Sequence, residues 1–264
     1  ALKEGKAYLA VVADNKNRTD VYPQMADFTF YGGIYRNVTM ICVSPTHFCL
    51  DYFGSAGVAF DTKLQGEDAL VNLSAWVTDA KESDMVQFEI MDEDESVVAE
   101  AFAPAAWETK ATACIEKAHL WQGVKDPYLY TVTARIVRHN EVLDQVEASL
   151  GVREFYVDPE KGFFLNGIPT PLRGVSRHQD RLGQGNALTE EDHLEDAYLI
   201  AELGANTVRL AHYQHNQAFY DACDALGLVV WAEIPFISVM SKDPKGHDNC
   251  RQQMKELIYQ NYNH

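Results

Sequence analysis

Residues 189–234, TEEDHLEDAYLIAELGANTVRLAHYQHNQAFYDACDALGLVVWAEI, alternate helix and strand signals and so decide the fold. Thr189 is a cap, and Glu190, Glu191 and Asp192 place acids at the positive end of the helix that follows. Leu194, Ala197, Tyr198 and Ala201 fall at i, i+3, i+4 and i+7, which predicts an apolar face, and Gly204 ends the run. Residues 206–211 read as a strand. Asn216 then caps a helix with Phe219, Cys223 and Leu226 on one side and Gly227 behind it. Residues 228–234 are almost continuously apolar, as in a parallel strand covered on both faces.

Outward from this unit, residues 169–175 read as an earlier strand, and Met254, Leu257, Ile258 and Tyr262 mark a third helix. Strand, helix, strand, helix, strand, helix is α/β. An open doubly wound sheet and a (β/α)8 barrel both accept it. No G-x-G-x-x-G or G-x-x-x-x-G-K-[ST] precedes the first helix, which weakens the usual phosphate-binding open sheets and favours the barrel. A barrel takes about 250 residues. Only about 110 follow Val152, so residues 153–264 are expected to hold roughly three of its eight repeats.

Upstream the period changes to two. From residue 45 to 152, short alternating strands recur with turn signals between them, the pattern of an immunoglobulin-like β-sandwich. Val71, Leu73, Ala75 and Val77 share a face, as do Val86, Phe88 and Ile90, and again Tyr130, Val132, Ala134 and Ile136. The acidic run Asp92, Glu93, Asp94, Glu95 reads as a solvated hairpin turn rather than a calcium loop, because no glycine-centred ligand spacing follows. Residues 1–44 carry β-type runs at 7–13 and 38–43, too few strands to close a core, and are expected to be the tail of a larger β domain.

The chain of 264 residues has 22 Lys and Arg against 39 Asp and Glu, a net charge of -17, which disfavours nucleic acid and anionic membrane as partners. No apolar stretch approaches the roughly 20 residues of a membrane span. The first residues lack a secretory pattern and do not include a starting Met, so an excerpt or a processed start is expected. Five cysteines without C-x-x-C spacing predict reduced, mostly buried thiols; this favours the cytoplasm but leaves the compartment open.

In a barrel the loops after the strands line the site. The three strands run into His178, His212 and Glu233, and a mouth of His, Arg, Glu, Asn and Trp suits a polyhydroxyl ligand, that is, a sugar. Cleaving a glycosidic bond takes two carboxyl groups. Glu233 is the one carboxylate at a strand end, and Asp180 lies in a loop beyond His178.

Residues 151–155 (GVREF), 164–167 (FLNG), 173–178 (RGVSRH) and 208–213 (VRLAHY) resemble the β-galactosidases of glycoside hydrolase family 2. Residues 30–36 (FYGGIYR) look like the end of that family's sugar-binding jelly roll, and 125–130 (KDPYLY) like its immunoglobulin-like domain. The resemblance implies a retaining hydrolase of terminal β-D-galactosyl residues whose acid/base and nucleophile glutamates both lie beyond His264. No catalytic residue is therefore expected in this chain, which alone is expected to be inactive. The resemblance carries His178, His212 and Asp27 over as sugar contacts, with Arg209 and Glu233 supporting the pocket. Members that bind magnesium use a Glu-x-His shortly after the third strand. Ile237, Ser238 and Val239 stand there, which argues against such a site and leaves no cofactor assigned. A galactoside is the implied substrate, and a homo-oligomer is left open. β-Glucuronidase, β-mannosidase and a non-catalytic carbohydrate-binding module are the alternatives.

Overall fold

The computed structural model describes Gly5 and residues 8–264. Alternation at period two builds an immunoglobulin-like sandwich from β1 (His47–Phe48), β2 (Val58–Gln65), β3 (Asp68–Ala75), β4 (Val77–Thr78), β5 (Asp84–Met91), β6 (Val97–Pro104), β7 (Thr109–Ile115), β8 (Tyr130–Arg138) and β9 (Glu141–Leu150). One sheet runs β2-β3-β7, the other β6-β5-β8-β9, and β1 pairs with β4. Val71 and Leu73 on β3, Phe88 and Ile90 on β5 and Val132 and Ile136 on β8 meet in one core, none more than 1% exposed. Each such side chain contributes about 1.5–3 kcal/mol by leaving water. The acidic run closes the β5–β6 hairpin, where Asp92 Oδ1 accepts the backbone N–H groups of Asp94 and Ser96.

Next come a small antiparallel sheet, β10 (Phe155–Asp158), β11 (Gly162–Leu165) and β12 (Ile168–Pro169), and the α/β unit. The latter consists of β13 (Gly174–Arg177), α1 (Glu190–Glu202), β14 (Thr207–Leu210), α2 (Gln217–Leu226), β15 (Val229–Trp231) and α3 (Pro244–Gln260). β13, β14 and β15 are parallel, with Val175 opposite Val208 and Val208 opposite Val230. This is the start of the barrel. Thr189 and Asn216 cap α1 and α2 as their sequence predicts, and Gly227 ends α2 at φ 74°.

Several expectations need correction. The first parallel strand begins at Gly174, because Pro169 belongs to β12 and Pro171 has no N–H for a ladder. The third occupies only Val229–Trp231 of the expected 228–234, with no strand beyond it to pair among the described residues. Cys49 and Cys223 are buried, but Cys42 and Cys114 are exposed; Cys114 points outward between the inward Ala113 and Ile115 of β7. Finally, α1 buries His193, Ala197 and Ile200, leaving Leu194 and Tyr198 exposed.

Arg177 explains the rotation of α1. At the end of β13 its guanidinium, 6% exposed, donates to Asp196 Oδ2 (2.6 and 2.9 Å), to His193 Nδ1 (2.9 Å) and to His215 Nδ1 (3.1 Å), and it lies 4.0 Å over the Phe219 ring. Arginine only donates, so both imidazoles accept at Nδ1 and are neutral. Burial and the Arg177 charge hold His193 down to about 4, and the same two causes put His215 well below its usual value. Asp196 Oδ1 also accepts from Arg181 (2.6 Å).

Among the described residues of 8–46 none is in a strand. The runs expected to be strands, 7–13 and 38–43, find no ladder partner here, and Tyr8, Val12, Val38 and Met40 are exposed; Ala7 lies outside the described residues. The middle of this segment packs on the α/β unit. Tyr22 Oη accepts the Ser241 N–H (2.8 Å), its ring lies 5.0 Å from Phe236, and Arg36 donates to Gln214 O (3.0 Å).

Sandwich and barrel start are tightly joined. Trp121 Nε1 donates to Asp224 O (2.9 Å), the Phe60 N–H donates to Asn263 Oδ1 (2.9 Å), and Tyr259 stacks on Phe53 at 4.8 Å. At Gly227 a Cβ would lie 2.2 Å from the carbonyl carbon of Gly123. Gly227→Ala therefore meets both a left-handed φ and a backbone wall, and is expected to destabilise by about 2–4 kcal/mol, read as a lowered Tm in calorimetry.

The Arg177 cluster sets a pH dependence. His193 protonates below about 6.5 when unfolded but only near 4 when folded, so its contribution is full above pH 6.5 and is lost as pH falls towards 4. Between pH 6.5 and 5 the loss is about 2 kcal/mol. Urea midpoints should fall over that range, and His193→Gln, which still accepts from Arg177 but cannot titrate, should flatten the fall.

Candidate active site

Strand pleating decides which side chains reach the mouth. Val208 and Leu210 of β14 are buried, so Arg209 between them faces the other way, and Arg177 turned to the helices sends the next residue, His178, to the opposite side. The C-terminal ends of β13, β14 and β15 thus bring His178, Arg209, His212 and Glu233 together.

Arg209 Nε donates to Glu233 Oε1 (2.5 Å) and Nη2 to Oε2 (3.1 Å), a two-pronged ion pair. His212 Nδ1 sits against both partners, 2.8 Å from Arg209 Nη2 and 3.0 Å from Glu233 Oε2. Burial pushes the Glu233 carboxyl up, but hydrogen bonds from Arg209 and His212 outweigh it and hold the group below its usual range. Glu233 is therefore ionised with both oxygens engaged. It can orient Arg209 and His212 but has no proton to give.

The His178 ring lies 5.4 Å from that of His212, and its Nδ1 is 3.2 Å from Tyr213 Oη. Burial and the neighbouring His212 lower the His178 pKa, with Asp180 and Asp27 opposing. The Tyr213 phenol, raised to about 12 by burial, stays protonated and can donate to His178 Nδ1. That leaves His178 neutral with Nε2–H available to a ligand hydroxyl.

Asp27 is exposed and makes no hydrogen bond among the described residues, although its charge acts on His178. Its neighbour Phe28 reaches further, with its ring 5.4 Å from His178, 6.1 Å from His212 and 5.2 Å from Tyr213. Sequence reasoning missed Phe28 and assigned Tyr213 no role. The only signals were their positions beside Asp27 and His212. Asp180 is exposed, and the place of the family's magnesium ligands, Ile237 to Val239, offers no carboxylate or imidazole for a cation. Among the described residues Glu233 is the one carboxylate hydrogen-bonded within this mouth.

Comparison with known proteins identifies the two folded units that carry this mouth. Residues 56–153 match glycosyl hydrolases family 2 and residues 157–264 match the TIM barrel domain of glycosyl hydrolases family 2. A β-glucuronidase of Bacteroides fragilis is 37% identical over 98% of this chain and 39% of its own length. A β-galactosidase of Thermoanaerobacter pseudethanolicus is 29% identical over 97% of this chain and 34% of its own. The crystal structure of an FMN-binding β-glucuronidase from Facaelibacterium prausnitzii L2-6 superposes with a TM-score of 0.91 at 50% identity, covering 94% of this chain and 39% of that one. The chain thus spans about two fifths or less of the proteins it matches. With a sandwich and a barrel start that each match the same family in the same order, the chain belongs to glycoside hydrolase family 2.

Proposed function

We propose that this chain is the part of a retaining glycosidase that receives the terminal β-linked sugar, while the two carboxyl groups that cleave the bond are contributed from outside it. The cluster of Arg209 and His212, both donating to Glu233, beside His178 carries this reading. In it, Glu233 fixes Arg209 and holds His212 by Nδ1, so that His212 Nε2 is left for a sugar hydroxyl. His178 contributes Nε2–H from the other side, and Phe28 walls the site. Retaining chemistry places a nucleophile and an acid/base about 5–5.5 Å apart across the bond.

The sugar is best read as a glucuronic acid residue, on the strength of the β-glucuronidases at 37% and 50% identity. Galactose, which the sequence motifs imply, is the second reading and is supported by the β-galactosidase at 29%. A uronic acid needs a cation for its carboxylate, and Arg209 is already neutralised by Glu233. On the first reading that cation also comes from outside this chain.

The full-length enzyme assayed on nitrophenyl β-D-glucuronide and β-D-galactoside decides between the two, and a larger kcat/KM on the galactoside would overturn the first. The pure 264-residue chain is expected to turn over neither. In the full-length enzyme His212→Ala should lower kcat/KM by about 10², or some 2.7 kcal/mol of transition-state stabilisation. His119→Ala, on the sandwich where the ring stacks on Tyr128, should do little. Equal effects would show that the sugar does not sit at the strand ends.

A further inference from the structure

A cleft of about 700 Å³ between the sandwich and α3 plays no part in the site above. One wall is aromatic, with Tyr52 and Phe53 from the turn after β1 and Trp107 from the turn between β6 and β7. The other is a row of Gln252, Glu256 and Gln260, four residues apart on α3 and so aligned along one side of the helix. At 1.5 Å per residue the row is about 12 Å long.

The aromatic wall is anchored from behind. Tyr52 stacks on Trp76 at 4.0 Å and Phe53 on Tyr259 at 4.8 Å. Trp107 is different, since it is 59% exposed and its one aromatic neighbour among the described residues is Tyr52, edge-on at 6.4 Å. On the helix, Gln252 Nε2 donates to Glu256 Oε1 (2.9 Å) and Gln260 Nε2 to Phe53 O (2.9 Å). Each amide keeps its oxygen and a second N–H unspent among the described residues, and Glu256 keeps its other oxygen.

We infer that this cleft binds a neutral oligosaccharide, with a pyranose ring lying on the Trp107 indole and its hydroxyls on the row of Gln252, Glu256 and Gln260. A pyranose has an apolar C–H face for an aromatic wall and a rim of hydroxyls that both donate and accept, which is what amides and a carboxylate complement. Among the described residues Asp51 and Glu256 are the only charged groups lining the cleft, which disfavours an anionic sugar chain. A cation would suit the carboxylates and rings but would leave the amides idle, and the Lys255 ammonium already sits 5.9 Å over Phe53. The cleft lies apart from the strand ends and does not depend on which sugar is cleaved there.

The test titrates the full-length enzyme with maltotriose, cellotriose and xylotriose, following tryptophan fluorescence and heat, with trigalacturonate and tetramethylammonium as charged controls. At least one neutral trisaccharide should bind saturably. Trp107→Ala should weaken that binding by at least about tenfold while leaving Tm and the hydrolysis of nitrophenyl glycosides unchanged. Glu256→Gln, which keeps a polar group in the row, should weaken it less. Three outcomes overturn the inference: no saturation by any of the three, binding that Trp107→Ala leaves intact, or tighter binding of either charged control.

Discussion

A positive charge buried where three elements meet is the constraint on which the α/β unit depends. The Arg177 guanidinium is out of water, and an isolated ion there would cost several kcal/mol. The cost is met only if α1 brings Asp196 and His193, the loop after β14 brings His215, and α2 brings the Phe219 ring, all at once. That requirement sets the rotation of α1 and ties the ends of β13 and β14 to the helices. It reaches the mouth as well, because a strand that turns Arg177 towards the helices has to turn His178 the other way, to the mouth.

At the mouth the electrostatics run the other way. The Arg209–Glu233 pair is partly solvated, with side chains 42% and 20% exposed, so its worth is in geometry more than in stability. It holds an imidazole and a planar cation in fixed directions before any ligand arrives. Such preorganisation is what a site needs if hydrogen bonds are to strengthen as a sugar distorts towards its transition state.

What was legible in the sequence was local. The caps Thr189 and Asn216, the glycine stop at 227 and the alternation through Val71, Phe88 and Val132 follow from backbone chemistry that acts over a few residues. The order of the three parallel strands was legible for the same reason, since each holds a short apolar run, although the third stops at Trp231. The face of α1 was not, because hydropathy ranks His193 below Leu194 and cannot see that a buried arginine waits for an acceptor. Phe28 was illegible too, being separated from His178 by 149 residues of intervening chain, and nothing in its neighbourhood shows periodicity. The runs at 7–13 and 38–43 have β composition, but composition supplies no partner strand.

The touching backbones of Gly123 and Gly227 carry a mechanical consequence. With no side chain between them, the sandwich and the barrel start meet as two plates bolted at a point, and the Trp121, Asn263 and Tyr259 contacts prevent pivoting about it. Such a bracket does not work as a hinge. Any adjustment of the mouth to a guest falls to its loops and to the arm that carries Phe28, and the sandwich serves as a rigid mount against which those small movements are made.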